Sequence, residues 1–218
     1  MRFVVTAGPT REAIDPVRFI SNRSSGKMGY AIAEAALARG HEVTLISGSA
    51  AITPPRRAKF IPITTANELH TAVHRAVRAC DVLVMCAAVS DYRPATRAAR
   101  KVKKRKSSFA LKLIPTRDIL ASLPKENRRY LVVGFAAETH DLKINAQKKL
   151  RRKNCDMIVA NDVSRSDSGM ESDENEVVIF FRNGESERIP RVSKKIIARE
   201  LVKKIAKMFE KSLTKKSW

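Results

Sequence analysis

Residues 15 to 29 read Asp-Pro-Val-Arg-Phe-Ile-Ser-Asn-Arg-Ser-Ser-Gly-Lys-Met-Gly, a polar turn that runs straight into an apolar helix pattern (Ala31, Ile32, Ala35, Leu37). Ahead of it, Phe3 to Thr6 reads as a buried strand. Behind it, Gly40 stops the helix, which runs about Lys27 to Arg39, and Val43 to Ile46 reads as a second strand. A strand, a crossover helix and another strand are the start of a parallel sheet. The turn is also chemically loaded. Gly26, Gly29 and the hydroxyls of Ser24 and Ser25 stand where a helix leaves backbone N–H groups unpaired and its dipole is positive. Such a helix mouth binds phosphate. Asn22 adds a donor and an acceptor, and Arg18 a cationic fork.

The alternation continues. Phe60 to Ile63 is a brief strand, Ala66 to Ala79 a helix with Leu69, Val73 and Val77 on one face, and Val82 to Cys86 a strand. Leu131 to Phe135, a helix from about Leu142 to Arg152, and Met157 to Ala160 repeat the pattern. Val177 to Phe181 and Ser186 to Ile189 read as a terminal hairpin around Gly184, followed by a helix carrying Ile196, Ile197, Leu201, Ile205 and Phe209. The expected fold is α/β. It is a Rossmann-like, doubly wound, mostly parallel sheet with helices on both faces and a C-terminal hairpin plus helix. One domain, residues 1–218, accounts for the chain. Within it, Gly8 to Ser25 reads as a long loop, and Arg93 to Ser108 as an exposed, mobile basic loop. Phe109 to Leu113 is a possible short strand, Asp118 to Leu123 a helical turn, 164–175 a polar loop, and about 210–218 a basic tail.

Composition narrows the chemistry. No apolar run reaches the ~20 residues that span a membrane, and the N-terminal strand is too short for a secretory signal. The three cysteines, Cys80, Cys86 and Cys155, make no metal-type pair and suit a reducing, cytoplasmic setting with structural roles. The four histidines are dispersed, and no Ser/His/Asp triad can be placed. A dinucleotide fold needs Gly-x-Gly-x-x-Gly and an acid at the end of the second strand; here Gly26 and Gly29 fit part of the spacing and that strand ends in Ser47-Gly48. Ser25-Gly26-Lys27 is too short for a Walker loop. The net charge of +21, concentrated in Arg97 to Lys106 and in Arg191 to Lys216, admits a nucleic-acid-binding module as the alternative. With only 6% aromatic residues, almost none in the basic segments, that alternative lacks the stacking platforms it needs, and nucleic acid is not the expected partner.

In open parallel sheets, ligands bind beyond the carboxyl ends of the strands. Four strands here end in distinctive turns: Thr6 to Thr10, Ala87 to Tyr92, Phe135 to Thr139, and Asn161-Asp162. Thr6 to Glu12, Asp15 to Gly29, Ala87 to Tyr92, Lys101-Val102-Lys103-Lys104, Gly134 to Thr139 and Ala160-Asn161-Asp162 together resemble the phosphopantothenate–cysteine ligase family, in order and over residues 1 to about 210.

The resemblance implies a two-step ligation in coenzyme A biosynthesis. The 4′-phosphopantothenate carboxylate attacks the α-phosphate of a nucleotide, CTP in most bacterial members and ATP as the alternative. Pyrophosphate leaves, and the cysteine amine then displaces CMP to form the amide. Mg²⁺ or another divalent cation is expected to shield the phosphates. By the same resemblance, Asn22 handles the acyl-nucleotidyl intermediate, Arg18 anchors the substrate phosphate, from the neighbouring subunit of a homodimer, and Ser24, Ser25 and Gly26 meet phosphate oxygens. Helix capping or a surface ion pair are the plain structural alternatives for these residues. Ala87 and Ala88 let a ligand approach the backbone, and Asp91 serves the ribose or the cation. Lys101 closes over the phosphates, with Lys103 and Lys104 as competitors for that role. Phe135 and Ala136 line the base pocket, and Asn161 and Asp162 stand near the nucleotide. Many bacterial members are fused to a flavin-dependent decarboxylase. This chain starts at the first synthetase strand, so a separate decarboxylase is expected to act next.

Overall fold

A computed structural model describes residues 1–104, 107–138, 140–162 and 172–214; of Asp162 it describes the backbone. The main sheet starts with β1 (Arg2–Ala7), flanked by β4 (Glu42–Ser47) and then β5 (Lys59–Pro62) on one side. On the other side lie β6 (Val82–Met85), β9 (Leu131–Glu138) and β10 (Met157–Asp162). The pair β11 (Glu174–Phe181) and β12 (Ser186–Ser193) completes eight strands in the order β12-β11-β10-β9-β6-β1-β4-β5. The six strands from β5 to β10 are parallel, and β11 and β12 add antiparallel. The expected doubly wound sheet is therefore present. The connection from β5 to β6 carries the chain from one side of β1 to the other. That reversal opens a crevice at the carboxyl ends of β1 and β6.

Hydrophobic runs explain the layers. The central strands are apolar throughout, as strands covered on both faces must be (Val82, Leu83 and Val84 are each 0% exposed). One face packs α1 (Lys27–Ala38) and α4 (Lys194–Thr214), through Ile32, Ala36, Ile197, Leu201 and Ile205. The other packs α2 (Ala66–Ala76) and α3 (Leu142–Arg152), through Leu69, Val73, Ala146 and Leu150. A 3₁₀ turn, Val77–Ala79, takes the place of the last turn expected of α2.

Two small antiparallel pairs were not read from sequence. β2 (Arg11–Ala13) pairs with β3 (Phe19–Ser21) inside the expected long loop. Their turn is organised by Asp15, whose Oδ1 accepts from the N–H of Val17 at 2.8 Å and of Arg18 at 2.9 Å. β7 (Tyr92–Pro94) pairs with β8 (Leu113–Pro115). The basic loop therefore begins after Pro94 rather than at Arg93, and the strand expected at Phe109 to Leu113 falls instead at β8. Antiparallel pairing across a long, polar insertion has no local signature of alternation, which is why it was missed. The 164–171 part of the polar loop, residues 105 and 106, and the tail beyond 214 lie outside the described residues.

Candidate active site

A cavity of about 720 Å³ occupies the crevice, within the usual range for small-molecule sites. Its floor is built by pinning the loop after β6 onto the loop after β1. Thr6 Oγ1 accepts from the N–H of Cys86 at 3.1 Å and of Ala87 at 3.0 Å. Ala88 N–H donates to the Gly8 carbonyl at 2.9 Å, and its carbonyl accepts from Thr10 N–H at 3.1 Å. Thr10 Oγ1 in turn accepts from Ser90 N–H at 2.9 Å. Thr6 and Thr10 are both fully buried, so these hydroxyls satisfy backbone donors that would otherwise be orphaned.

Asn22, Ser24, Gly26, Ala87, Ala88, Asp91, Phe135, Ala136 and Asn161, all singled out from sequence, line this one cavity. The Asn22 side chain donates from Nδ2 to the Ala88 carbonyl at 3.1 Å. Gly26 precedes α1 in the left-handed conformation (φ 79°) and brings no side chain to cap it, and both Gly26 and Lys27, the first helical residue, line the cavity. Gly29 sits so close to β1 that a Cβ would lie 2.6 Å from Ala7 Cβ. Three predicted residues stand apart. Ser25 does not line the cavity; its Oγ accepts from Lys27 N–H at 3.4 Å. Lys101 is exposed on the basic segment, outside the cavity lining. Arg18 is taken up by Asp15 Oδ2, at 3.1 Å from Nε and 2.5 Å from Nη2, and by the Val102 carbonyl at 2.5 Å. The Asp15 carboxyl is held well below its ordinary range. Burial pushes it up, but the N–H groups of Val17, Arg18 and Val102 and the Arg18 guanidinium outweigh that. Asp162 closes β10 opposite Glu138.

Four lysines line the cavity that were not singled out as site residues. Lys149 and Lys153, four apart on and just after α3, face the sheet rather than solvent. Lys149 Nζ donates to the Phe135 carbonyl at 2.7 Å, and Lys153 pairs with Asp118. Burial lowers the pKa of both lysines. The others are Lys27 and Lys194, the first residues of α1 and α4. The i, i+4 spacing of Lys149 and Lys153 after a strand was the available signal, hidden in a run of surface cations.

Cys86 also borders the cavity, and burial pushes its thiol up to about 12. It is therefore no thiolate nucleophile at neutral pH. Among the described residues, no group of three or more His, Cys, Asp or Glu side chains could cage a metal. Asp91 is a carboxylate in the cavity wall, which suits a cation held mostly by phosphates and water.

Residues 1–209 match the family described as DNA/pantothenate metabolism flavoprotein C-terminal domain. The chain belongs to that family. Within it, the coenzyme A biosynthesis bifunctional protein CoaBC of Bacillus subtilis is 46% identical over 93% of this chain and 50% of its own length. CoaBC of Escherichia coli is 42% identical over 96% of this chain and 52% of its own length. The chain thus spans about half the length of the curated relatives it matches. The crystal structure of the C-terminal domain of a CoaBC is 42% identical, with a TM-score of 0.82 and 96% of each chain covered. A Cab2 variant in complex with phosphopantothenate-cysteine shares the fold at 17% identity and a TM-score of 0.80, over 100% of this chain and 89% of its own. Among the described residues, no helix is long and apolar enough to cross a membrane.

Proposed function

We propose that this family member is a phosphopantothenate–cysteine ligase that works through an acyl-nucleotidyl intermediate, in the cytoplasm. The observation that carries the reading is the convergence of the Asn22 turn, the Ala87-Ala88 loop, Phe135 and Asn161 on one cavity at the sheet reversal, in a chain 42% identical to a CoaBC C-terminal domain. Phe135, Ala136 and the Lys149 and Lys153 ammoniums form the end suited to a base and ribose. The start of α1 forms the end suited to phosphates. CTP is the proposed nucleotide and ATP the alternative.

The chemistry asks for positioning and charge neutralisation more than for a protein nucleophile. The phosphopantothenate carboxylate forms a bond to the α-phosphorus as the bond to pyrophosphate breaks. The cysteine amine then bonds to the acyl carbon, CMP leaves, and the amine loses a proton. Asn22, fixed by Ala88, would hold the acyl group for that second attack. Asp91 would share a divalent cation with the phosphates, which supplies charge neutralisation. Lys101, with Lys103 and Lys104 beside it, would close over the site, and Ser25 and Asp162 would act at its margin.

A homodimer is part of the reading. Val17, Phe19, Tyr92 and Leu113 are 59%, 46%, 55% and 42% exposed on or beside the two small strand pairs. An apolar face of this kind suits a second copy, which would bring its Arg18 towards the site. The product keeps the cysteinyl carboxylate that a decarboxylase removes next. The test is pyrophosphate release with phosphopantothenate, Mg²⁺ and CTP or ATP, with and without cysteine. Release should require phosphopantothenate, and the amide should appear only with cysteine. Folded protein that releases nothing with either nucleotide overturns the reading.

A further inference from the structure

Lys194 occupies a costly place for a cation. It is 5% exposed, and charge is expensive to bury. It is the first residue of α4, where the helix dipole disfavours a positive group. Lys27, the first residue of α1, is its cationic neighbour. Burial and the Lys27 charge both lower the Lys194 pKa, against Cys86 and Asp173.

Asp173 joins the two helix starts. Its Oδ1 accepts from Lys27 Nζ at 2.7 Å, and its carbonyl accepts from the Lys194 backbone N–H at 2.9 Å. The Asp173 side chain is 85% exposed, so the Lys27 pair is a solvated one that an incoming anion can replace. Both lysines line the cavity, and so does Asn161, which is 8% exposed. The Asn161 Oδ1 is buried without a hydrogen-bond partner. The other end of that amide, Nδ2, offers an anion two N–H donors.

We infer that Lys27 and Lys194, at the converging starts of α1 and α4, form a pyrophosphate subsite with Asn161. It binds the β- and γ-phosphates of the nucleotide and holds them as the leaving group. The inference rests on the ligase reading for its assignment to that leaving group. Two ammoniums beside the start of α1 match a diphosphate better than a single phosphomonoester. Asn22, which would hold the acyl group, lies on the turn that leads into α1, so the acyl end and the diphosphate end of the reacting group would meet at one helix start.

The test uses the full chain with Mg²⁺ and titrates inorganic pyrophosphate and CMP separately by calorimetry. Wild type, Lys27→Met, Lys194→Met and Lys194→Arg are compared, with wild-type pyrophosphate release measured in parallel. Each Met variant should bind pyrophosphate at least about tenfold more weakly, and Lys194→Arg should recover part of the loss. CMP affinity should stay within about twofold of wild type in all variants. Should Lys194→Met fail to fold, Lys27→Met, which is only half-buried, decides the matter. Unchanged pyrophosphate affinity in the Met variants, with an active wild type, overturns the subsite and leaves the ligase standing. Lysine-dependent pyrophosphate binding by a wild type that ligates nothing does the reverse.

Discussion

The Asn22 side-chain amide donates to the Ala88 carbonyl across 3.1 Å, tying the turn before α1 to the loop after β6. The bond orients an exposed side chain that would otherwise rotate. Its Oδ1 is then directed by the same contact and can meet the attacking amine or the acyl group. Asn22→Ala removes this positioning and leaves intact the helix start proposed to bind phosphate. Amide formation should fall on the order of a hundredfold, with pyrophosphate release in the first turnover much less affected. Rapid quench of single turnovers, with and without cysteine, separates the steps. Equal loss of both would show that Asn22 does not act selectively on the second.

Lys149 is the most consequential residue that the motifs did not reveal. Its ammonium is fixed on the Phe135 carbonyl at 2.7 Å, beside the ring expected to meet the base. Lys149→Met keeps the aliphatic stem and removes the charge. The nucleotide KM should rise about tenfold, as for loss of one charged hydrogen bond. The KM for phosphopantothenate should be unaltered. Initial rates over a matrix of both substrates distinguish this from a general loss of activity, which would place Lys149 in the scaffold instead.

The parts legible in the sequence were those with a short-range signal. Val82 to Met85 announces a strand covered on both faces, and Gly26 and Gly29 announce a helix start against β1. Ala87-Ala88 could be placed because it follows a strand whose end is predictable, and the Asn22 turn because it leads into α1. Lys194 could not. Its place in the cavity depends on β12 delivering α4 beside α1, a relationship between residues more than 160 positions apart. The small strand pairs were equally silent, since Asp15 and its turn organise them rather than any alternation of apolar residues.

The buried Lys194 gives a pH dependence of definite sign. Its pKa is lowered from an ordinary 10.5, first by burial and then by Lys27. Between the lowered value and 10.5 the unfolded chain holds more protons than the folded one. Stability from this group is therefore complete above 10.5 and is lost as pH falls through the folded value. Lys194→Met should flatten the wild-type rise in stability as pH climbs towards 10.5. Saturating pyrophosphate should flatten it too, because a bound anion favours the charged lysine. Urea denaturation at stepped pH, with and without pyrophosphate, reads both effects. An identical slope in wild type and variant would show that Lys194 titrates as an exposed lysine.

Gly29 links the stability of α1 to its proposed use as a phosphate site. A Cβ at this position would stand 2.6 Å from Ala7 Cβ and 3.0 Å from the Thr6 carbonyl oxygen. Neither neighbour is a flexible side-chain end, so Gly29→Ala must lift α1 from β1. The expected cost is about 1–3 kcal/mol, read as a fall in urea midpoint. The shift also moves Gly26 and Lys27, so pyrophosphate affinity should drop with it. Leu69→Ala supplies the comparison. Leu69, on α2, is fully buried against the opposite face of the sheet, and its truncation costs about 2–5 kcal/mol without touching α1. If both variants lose stability but only Gly29→Ala loses pyrophosphate affinity, the helix start is what binds the anion. If Gly29→Ala keeps that affinity, phosphate binding does not depend on how closely α1 is seated on β1.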